Sequence, residues 1–280
     1  MEAAMPRATP DKDPNAVKSV YKMVAVLNCF SRIDRWQSVA DVARKTGLPK
    51  TTAHRILASL REVGFVEQER SREHYRLGVR LLEFGSIVLA SMDLPREAAP
   101  FVEHLIRMSG ESCHLCVFDG SQAVTVDHRE PDGRTADWIT TISAAPAHCT
   151  GVGKAALAFQ SEETIDRIIQ AGLQRFTRDT ITDPDGLRAE LAKVNARGYA
   201  VDNAEHQPGL RCVAAPIRNA TGKVFAAISV SGPQVRFSED RIEAMAALVM
   251  DVAYQISRRL GYSGDPKTSS ADVYEEVRLT

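Results

Sequence analysis

The sequence predicts an α+β protein in two unlike parts: a small helical domain ending in a β-hairpin, then a larger domain of helices around a largely antiparallel sheet. Three observations predict it. Charge is unevenly placed: residues 1–78 hold 14 Lys and Arg against 9 Asp and Glu, residues 79–280 hold 21 against 27, and the net charge of −1 conceals both. A helix–glycine–helix spacing followed by a hairpin occupies the basic part. Short β-rich runs alternate with helical periodicities in the acidic part. An apolar fraction of 44% and a charged fraction of 25% are ordinary, and exclude collagen-like, disulfide-scaffold and wholly disordered classes.

The ends come first. Residues 1–16 mix both charges with Pro6, Pro10 and Pro14, lack an apolar signal core, and read as a disordered tail. Residues 264–280 read as a second tail. No apolar run approaches the ~20 residues that span a bilayer, so no membrane partner is expected. The cysteines Cys29, Cys113, Cys116, Cys149 and Cys212 are odd in number and mostly sit in apolar runs. That pattern suits reduced, buried thiols and a cytoplasmic protein.

In the basic domain, residues 17–78, the net charge is +6. Val20, Met23, Val24, Leu27 and Phe30 recur at helical spacing, with Ser19 as the expected N-cap. Ser38 caps a second helix, Val39 to Thr46, and Gly47 ends it in a left-handed conformation. A third helix runs from Lys50 to Val63, with Ala53, Ile56, Leu57 and Leu60 on one stripe and Gly64 as its stop. Phe65–Glu67 and Tyr75–Leu77 form a hairpin around Arg70–Glu73. Ala43, Gly47 and Ile56 fill the small, turning and anchoring positions of a helix-turn-helix.

The stripe leaves Lys50, Thr51, Thr52, His54, Arg55 and Ser59 on the opposite face of the third helix. Short hydroxyls and cations there suit phosphate oxygens and base edges in a major groove. Arg70 and Arg72 at the hairpin tip make it a basic wing. Double-stranded operator DNA is the partner these residues predict.

Beyond residue 78 a helix is expected over Val79–Ser91 and another from Pro95 to Met108. Strands are expected at Cys113–Phe118, Ala123–His128, Tyr199–Asp202, Arg211–Pro216 and Val224–Ser231, with Asp119–Gly120 as a hairpin turn. Helices are expected at Gly153–Phe159, Ser161–Ala171, Gly186–Ala196 and Ser238–Leu260. No internal repeat is present.

These residues resemble a known family. Ser38–Ala43, Gly47–Thr52 and Gly64–Val66 look like the IclR (isocitrate lyase regulator) family of bacterial transcription factors. Gly151–Ala155, Gly198–Tyr199, Gly209–Pro216 and Ala226–Pro233 resemble its effector domain. The resemblance covers residues 17–263. It implies a winged helix-turn-helix domain (17–78), then a linker helix and a GAF-like effector-binding domain (79–263). It also implies a homodimer or homotetramer that regulates a catabolic operon, more often as repressor than activator, and answers to a small organic acid, a carboxylate or aromatic acid.

By the same resemblance, Gly151, Val152, Asp202, Cys212, Ser229 and Ser231 match the pocket of members that bind small 2-oxo acids. Their chemistry agrees. Gly151–Gly153 are expected just ahead of a helix start, where unpaired N–H groups favour an anion. Ser229 and Ser231 share one strand face by the period of two. Neither cofactor nor metal is expected, although some members of the family hold metal and His148, Cys149, His206 and Cys212 could approach one another.

Other chemistries fit less well. Gly151–Ala155 lacks the spacing of a phosphate loop, because His148 and Ala155 stand where Gly and Ser or Thr are required. Cys113–His114–Leu115–Cys116 offers ligands, but strand alternation puts the two thiols on opposite faces. A thiol hydrolase built on Cys149 with His148, or on Cys212 with His206 and Asp202, has no supporting motif and is the alternative from another class.

Overall fold

The computed structural model describes residues 17–31, 33–69, 73–132 and 144–264. Their contacts divide into two compact units between Ser91 and Met92. The two tails expected at the termini, Gly264 apart, lie outside the described residues, and so do Arg70 and Arg72.

The first unit contains α1 (Lys18–Leu27), β1 (Gln37–Ser38), α2 (Val39–Thr46), α3 (Lys50–Glu62), β2 (Val66–Gln68), β3 (His74–Leu77) and α4 (Arg80–Ser91). The expected Ser19 cap is wrong. The helix starts two residues earlier, at Lys18, Val17 is its N-cap, and no side chain caps it. The Ser38 cap is present and reciprocal: Ser38 Oγ accepts from the Asp41 N–H while the Asp41 carboxylate accepts from the Ser38 N–H. Gly47 ends α2 at φ +69°, a conformation in which a β-carbon is strained.

Val26, Val42, Ala43, Ala53, Leu57, Leu60, Val66 and Tyr75 form the core of this unit, and Ile56 packs partly buried against it. β1 was not expected. Its two residues pair with β3 at Gln37–Tyr75 and Ser38–His74, so the hairpin becomes a three-stranded sheet ordered β1–β3–β2. Gly78 is required by packing, since a β-carbon there would meet the Gly64 carbonyl oxygen at 2.2 Å.

The second unit begins with α5 (Asp93–Ser109), β4 (Ser112–Phe118), β5 (Gln122–Arg129) and β6 (Ala144–Pro146). It continues with α6 (Gly151–Leu157), α7 (Glu162–Gln170), α8 (Pro184–Arg197) and β7 (Ala200–Asn203). It ends with β8 (Leu210–Arg218), β9 (Val224–Pro233) and α9 (Glu239–Arg259). The strands form one antiparallel sheet ordered β6–β5–β4–β9–β8–β7. α5 starts two residues before Pro95, whose missing N–H costs nothing in a first turn.

The two faces of the sheet are covered differently. Cys113, Leu115, Val213, Ile217, Ile228 and Val230 pack against Leu105 of α5 and Val249, Val252 and Ile256 of α9. On the other face Cys116, Ala123, Ala214 and Ala227 pack against Ala155 and Leu157 of α6, Ile165 and Ile168 of α7, and Leu187 and Leu191 of α8. Cys113 and Cys116 therefore lie on opposite faces, as alternation along β4 requires.

The expected start of α6 at Gly153 is corrected to Gly151. Thr150 is the N-cap, and its hydroxyl accepts from the Gly153 N–H at 3.1 Å. Gly151, Val152 and Gly153 are thus the first helical turn rather than the loop ahead of it. Close packing, not loop freedom, demands glycine here. A β-carbon on Gly153 would lie 2.5 Å from Ala147 Cα, and one on Gly151 would lie 2.8 Å from Cys212 Sγ.

Candidate functional site

On α3 the buried positions Ala53, Leu57 and Leu60 fix which way the rest of the helix points. Lys50, Thr51, His54, Arg55 and Ser59 are exposed, and Thr52 is half-buried. Neither Lys50 nor Arg55 is ion-paired to a described residue. The Lys50 and Thr51 N–H groups open the helix with no side-chain cap, which leaves donors for phosphate oxygens. Nearby cations are spoken for: Arg44 pairs with Asp41 and Lys45 with Asp34. Arg76 pairs with Glu67 and its guanidinium lies 5.2 Å from the Trp36 ring centre. Lys50 and Arg55, on the face that α3 presents outward, have no such partner among the described residues.

The second site lies under the first turn of α6. Register places Asp202 of β7 opposite Cys212 of β8, and Cys212 opposite Ser231 of β9. Three of the expected pocket residues thus form one row across three strands. Ser229 lies two residues along β9 on the same face, opposite Ala214. Gly151 sits directly on Cys212 and Ala214. The six expected positions do come together, and the Gly151 and Val152 N–H groups take no hydrogen bond among the described residues.

Their electrostatics follow from burial. Asp202 is pushed up to about 7, first by desolvation and then by the Glu205 carboxylate, although its Oδ1 accepts from the Glu205 N–H at 2.8 Å. The Cys212 thiol is pushed up to about 12 by burial and then by Asp202. Cys149 is driven well above the usual thiol range by burial, and Asp202 and Glu205 add to it. Lys154 is wholly buried, donating to Glu205 and to the Val201 carbonyl. It turns into the protein, not toward a phosphate.

The hydrolase alternative loses its chemistry here. His148 Nε2 is bonded to the Gln174 carbonyl at 3.0 Å rather than to a thiol. All five thiols are buried, and none is lowered toward the reactive thiolate. Among the described residues no group of three or more His, Cys, Asp or Glu could hold a metal ion, and no helix is long and apolar enough to cross a membrane.

Sequence reasoning missed two histidines. The row beside the first runs Ala214–Ser229–His114–His128 across four strands. The His114 and His128 rings stack with centres 4.0 Å apart. Ser231 Oγ lies 3.4 Å from His114 Nδ1, which joins the two rows. Burial, with His128 as neighbour, pushes His114 down to about 3. The one available signal was that His114 shares the face of Cys116 at a spacing of two.

A basic helix-turn-helix unit joined in one chain to an α+β unit whose sheet carries a buried polar row defines a DNA-binding regulator with a second, separate domain. Comparison with known proteins gives the family. Residues 19–70 match the IclR helix-turn-helix domain, and residues 86–258 match the C-terminal domain of the bacterial transcriptional regulator IclR. The repressor AllR of Klebsiella pneumoniae is 33% identical over 254 residues, 89% of this chain and 93% of that protein. A crystal structure of an IclR transcriptional regulator from Silicibacter aligns with a TM-score of 0.78 at 25% identity, covering 90% of this chain and all of that one. An IclR homolog from Microbacterium hydrocarbonoxydans, solved with 4-hydroxybenzoate, aligns with a TM-score of 0.65 at 27% identity over 86% of this chain and 98% of that one. The chain belongs to the IclR family and is a DNA-binding transcriptional regulator.

Proposed function

We propose that the chain is a homo-oligomeric repressor of a catabolic operon in the cytoplasm, released from or retained on its operator by a small carboxylate or aromatic acid. Lys50, Thr51, Thr52, His54, Arg55 and Ser59 read the major groove, and Arg70 and Arg72 of the wing touch the backbone or minor groove. The acid sits against the Gly151 and Val152 N–H groups, within reach of Asp202, Cys212, Ser229 and Ser231. The observation that carries this reading is the row Asp202–Cys212–Ser231 lying under two unbonded helix amides. A relative named as a repressor and a homolog solved with an aromatic acid support the sign and the ligand class.

Self-association is supported by apolar side chains left in solvent. Val20 and Val24 of α1 and Leu82, Ile87 and Val88 of α4 are exposed, and α4 buries no residue. α4 is the last element of the first unit and leads in the chain to the second, so it is the element through which the acid alters operator affinity. Such coupling requires the acid to bind two states unequally.

A mobility-shift titration on the intergenic DNA upstream of the gene, with and without a panel of small organic acids, tests both halves. Specific retardation changed by an acid is expected. Retardation that no acid alters would remove the effector role, and no retardation at all would remove the operator role.

A further inference from the structure

The acid site so far draws on the row Asp202–Cys212–Ser231 and on Ser229 of the neighbouring row, and leaves His114 and His128, the rest of that row, unexplained. In that row the Ser229 hydroxyl is buried and has no partner of hydrogen-bond geometry. The weakly bonding Cys212 thiol lies beside it. His128 Nδ1, at the other end, is also buried and unpartnered. Orphaned polar atoms at this depth cost free energy unless something fills them, and two on one face of one sheet are uncommon. They are separated by His114 alone, since Ser229 opposes His114 and His114 opposes His128. Two strand spacings, about 10 Å, lie between their backbones.

We propose that this row is a distal subsite of the effector pocket, and that the effector is a small carboxylate carrying a neutral hydrogen-bond donor, a hydroxyl or N–H, at the end away from the carboxylate. The inference rests on the carboxylate site at Gly151 and Val152 proposed above.

The chemistry of the row selects that class. His128 Nε2 faces the Glu130 carboxylate at 3.4 Å, which favours the proton on Nε2 and leaves Nδ1 a bare acceptor. Burial holds both imidazoles below their ordinary range, His114 most strongly, so they are neutral at pH 7. A neutral acceptor welcomes an O–H or N–H and repels a second carboxylate. A plain alkyl end would bury Ser229 Oγ and His128 Nδ1 with nothing to bond. Sites built to bond a donor reject analogues that lack it for this reason.

Calorimetry on the full chain with pentanoate, 5-hydroxypentanoate and glutarate at pH 7.5 tests the proposal. The hydroxy acid is expected to bind at least about tenfold more tightly than either of the others, one well-made buried hydrogen bond being worth that factor. His128→Phe keeps a stacking ring and removes the acceptor, and should erase the preference. Ser229→Ala should reduce it with little change in the melting temperature of the free protein, because the hydroxyl has only the weak Cys212 thiol contact to lose. A preference for glutarate, equal binding of all three acids, or a preference that survives His128→Phe would overturn the subsite while leaving the carboxylate site standing. Binding of none of the three would remove the carboxylate site, and the subsite with it.

Discussion

Lys154 Nζ stands 2.5 Å from Glu205 Oε1, and both side chains are buried. α6 thereby anchors its fourth residue to the chain just beyond β7, on the side of the sheet that holds the candidate effector site. Glu205 Oε2 has no partner, so the pair is already short of one hydrogen bond. Lys154→Met should cost about 3–5 kcal/mol in urea unfolding, because it strands a buried carboxylate. Adding Glu205→Leu should return much of that loss. Equal stability of Lys154→Met and the parent would show that the pair is not held in solution.

Asp202 supplies a pH dependence whose sign can be worked out. Its folded-state value of about 7 lies above that of an ordinary aspartate. Between about pH 4 and 7 the folded chain holds a proton that the unfolded chain has released, so stability falls as pH rises through that window. The melting temperature should drop from pH 5 to pH 8, and Asp202→Asn should flatten the drop. A bound carboxylate would face the ionised Asp202 above pH 7. Its affinity should therefore fall as pH rises, and much less so in Asp202→Asn.

Arg55 is exposed on α3 with no ion pair to a described residue. Arg55→Ala should weaken operator binding by about 1–3 kcal/mol if it reads a base, or reduce the salt slope by about one if it holds a phosphate. Its thermal melt should match the parent. A matching loss of stability would assign Arg55 to packing instead.

Ser38→Ala removes the hydroxyl half of the reciprocal cap on α2, the acceptor for the Asp41 N–H, and leaves the backbone N–H of residue 38 donating to the Asp41 carboxylate. The expected cost is about 1 kcal/mol, localised to the first unit and visible as a lower urea midpoint for its unfolding. Ser38→Asp should retain most of the stability, and an Ala variant as stable as the parent would show that the cap contributes nothing.

Gly151 and Gly153 are two residues apart and should behave differently. A β-carbon on Gly153 meets Ala147 backbone atoms, which cannot step aside, whereas one on Gly151 meets chiefly the Cys212 side chain. Gly153→Ala should lower stability by about 1–3 kcal/mol or more. Gly151→Ala should fold with a smaller loss and bind acids poorly, because it intrudes on the proposed acid site. Unfolding of both variants alike would reverse that assignment.

How much of this was legible in the sequence differs by element. The helix-turn-helix could be read because its signals are local: Ser38 and Gly47 bracket α2, and Ala53, Leu57 and Leu60 give α3 one buried stripe. The start of α6 could not, because three residues with two glycines look like loop until Thr150 is seen capping them. β1 is two residues long and exists only because β3 offers it an edge. The six acid-site positions came from resemblance together with the alternation of Ser229 and Ser231. The His114–His128 stack depends on the pairing of β4 with β5, which shifts register between Leu115 and Cys116. No spacing within either strand reports that shift.

The sheet separates two obligations that a regulator must meet. Its dry face, against α5 and α9, holds Val213, Ile217, Ile228 and Val230, and a change there is felt by the whole unit. Its other face, against α6, α7 and α8, adds to its apolar core a buried polar patch of Ser229, Ser231, Cys212 and the two histidines, and two of the polar atoms there bond to nothing in the protein. With the acid site as proposed, substitutions in the polar patch change what is sensed while the fold is kept by residues a strand's thickness away. On that reading a lineage could exchange one metabolite for another on this scaffold while the apolar side of the sheet stayed as it was.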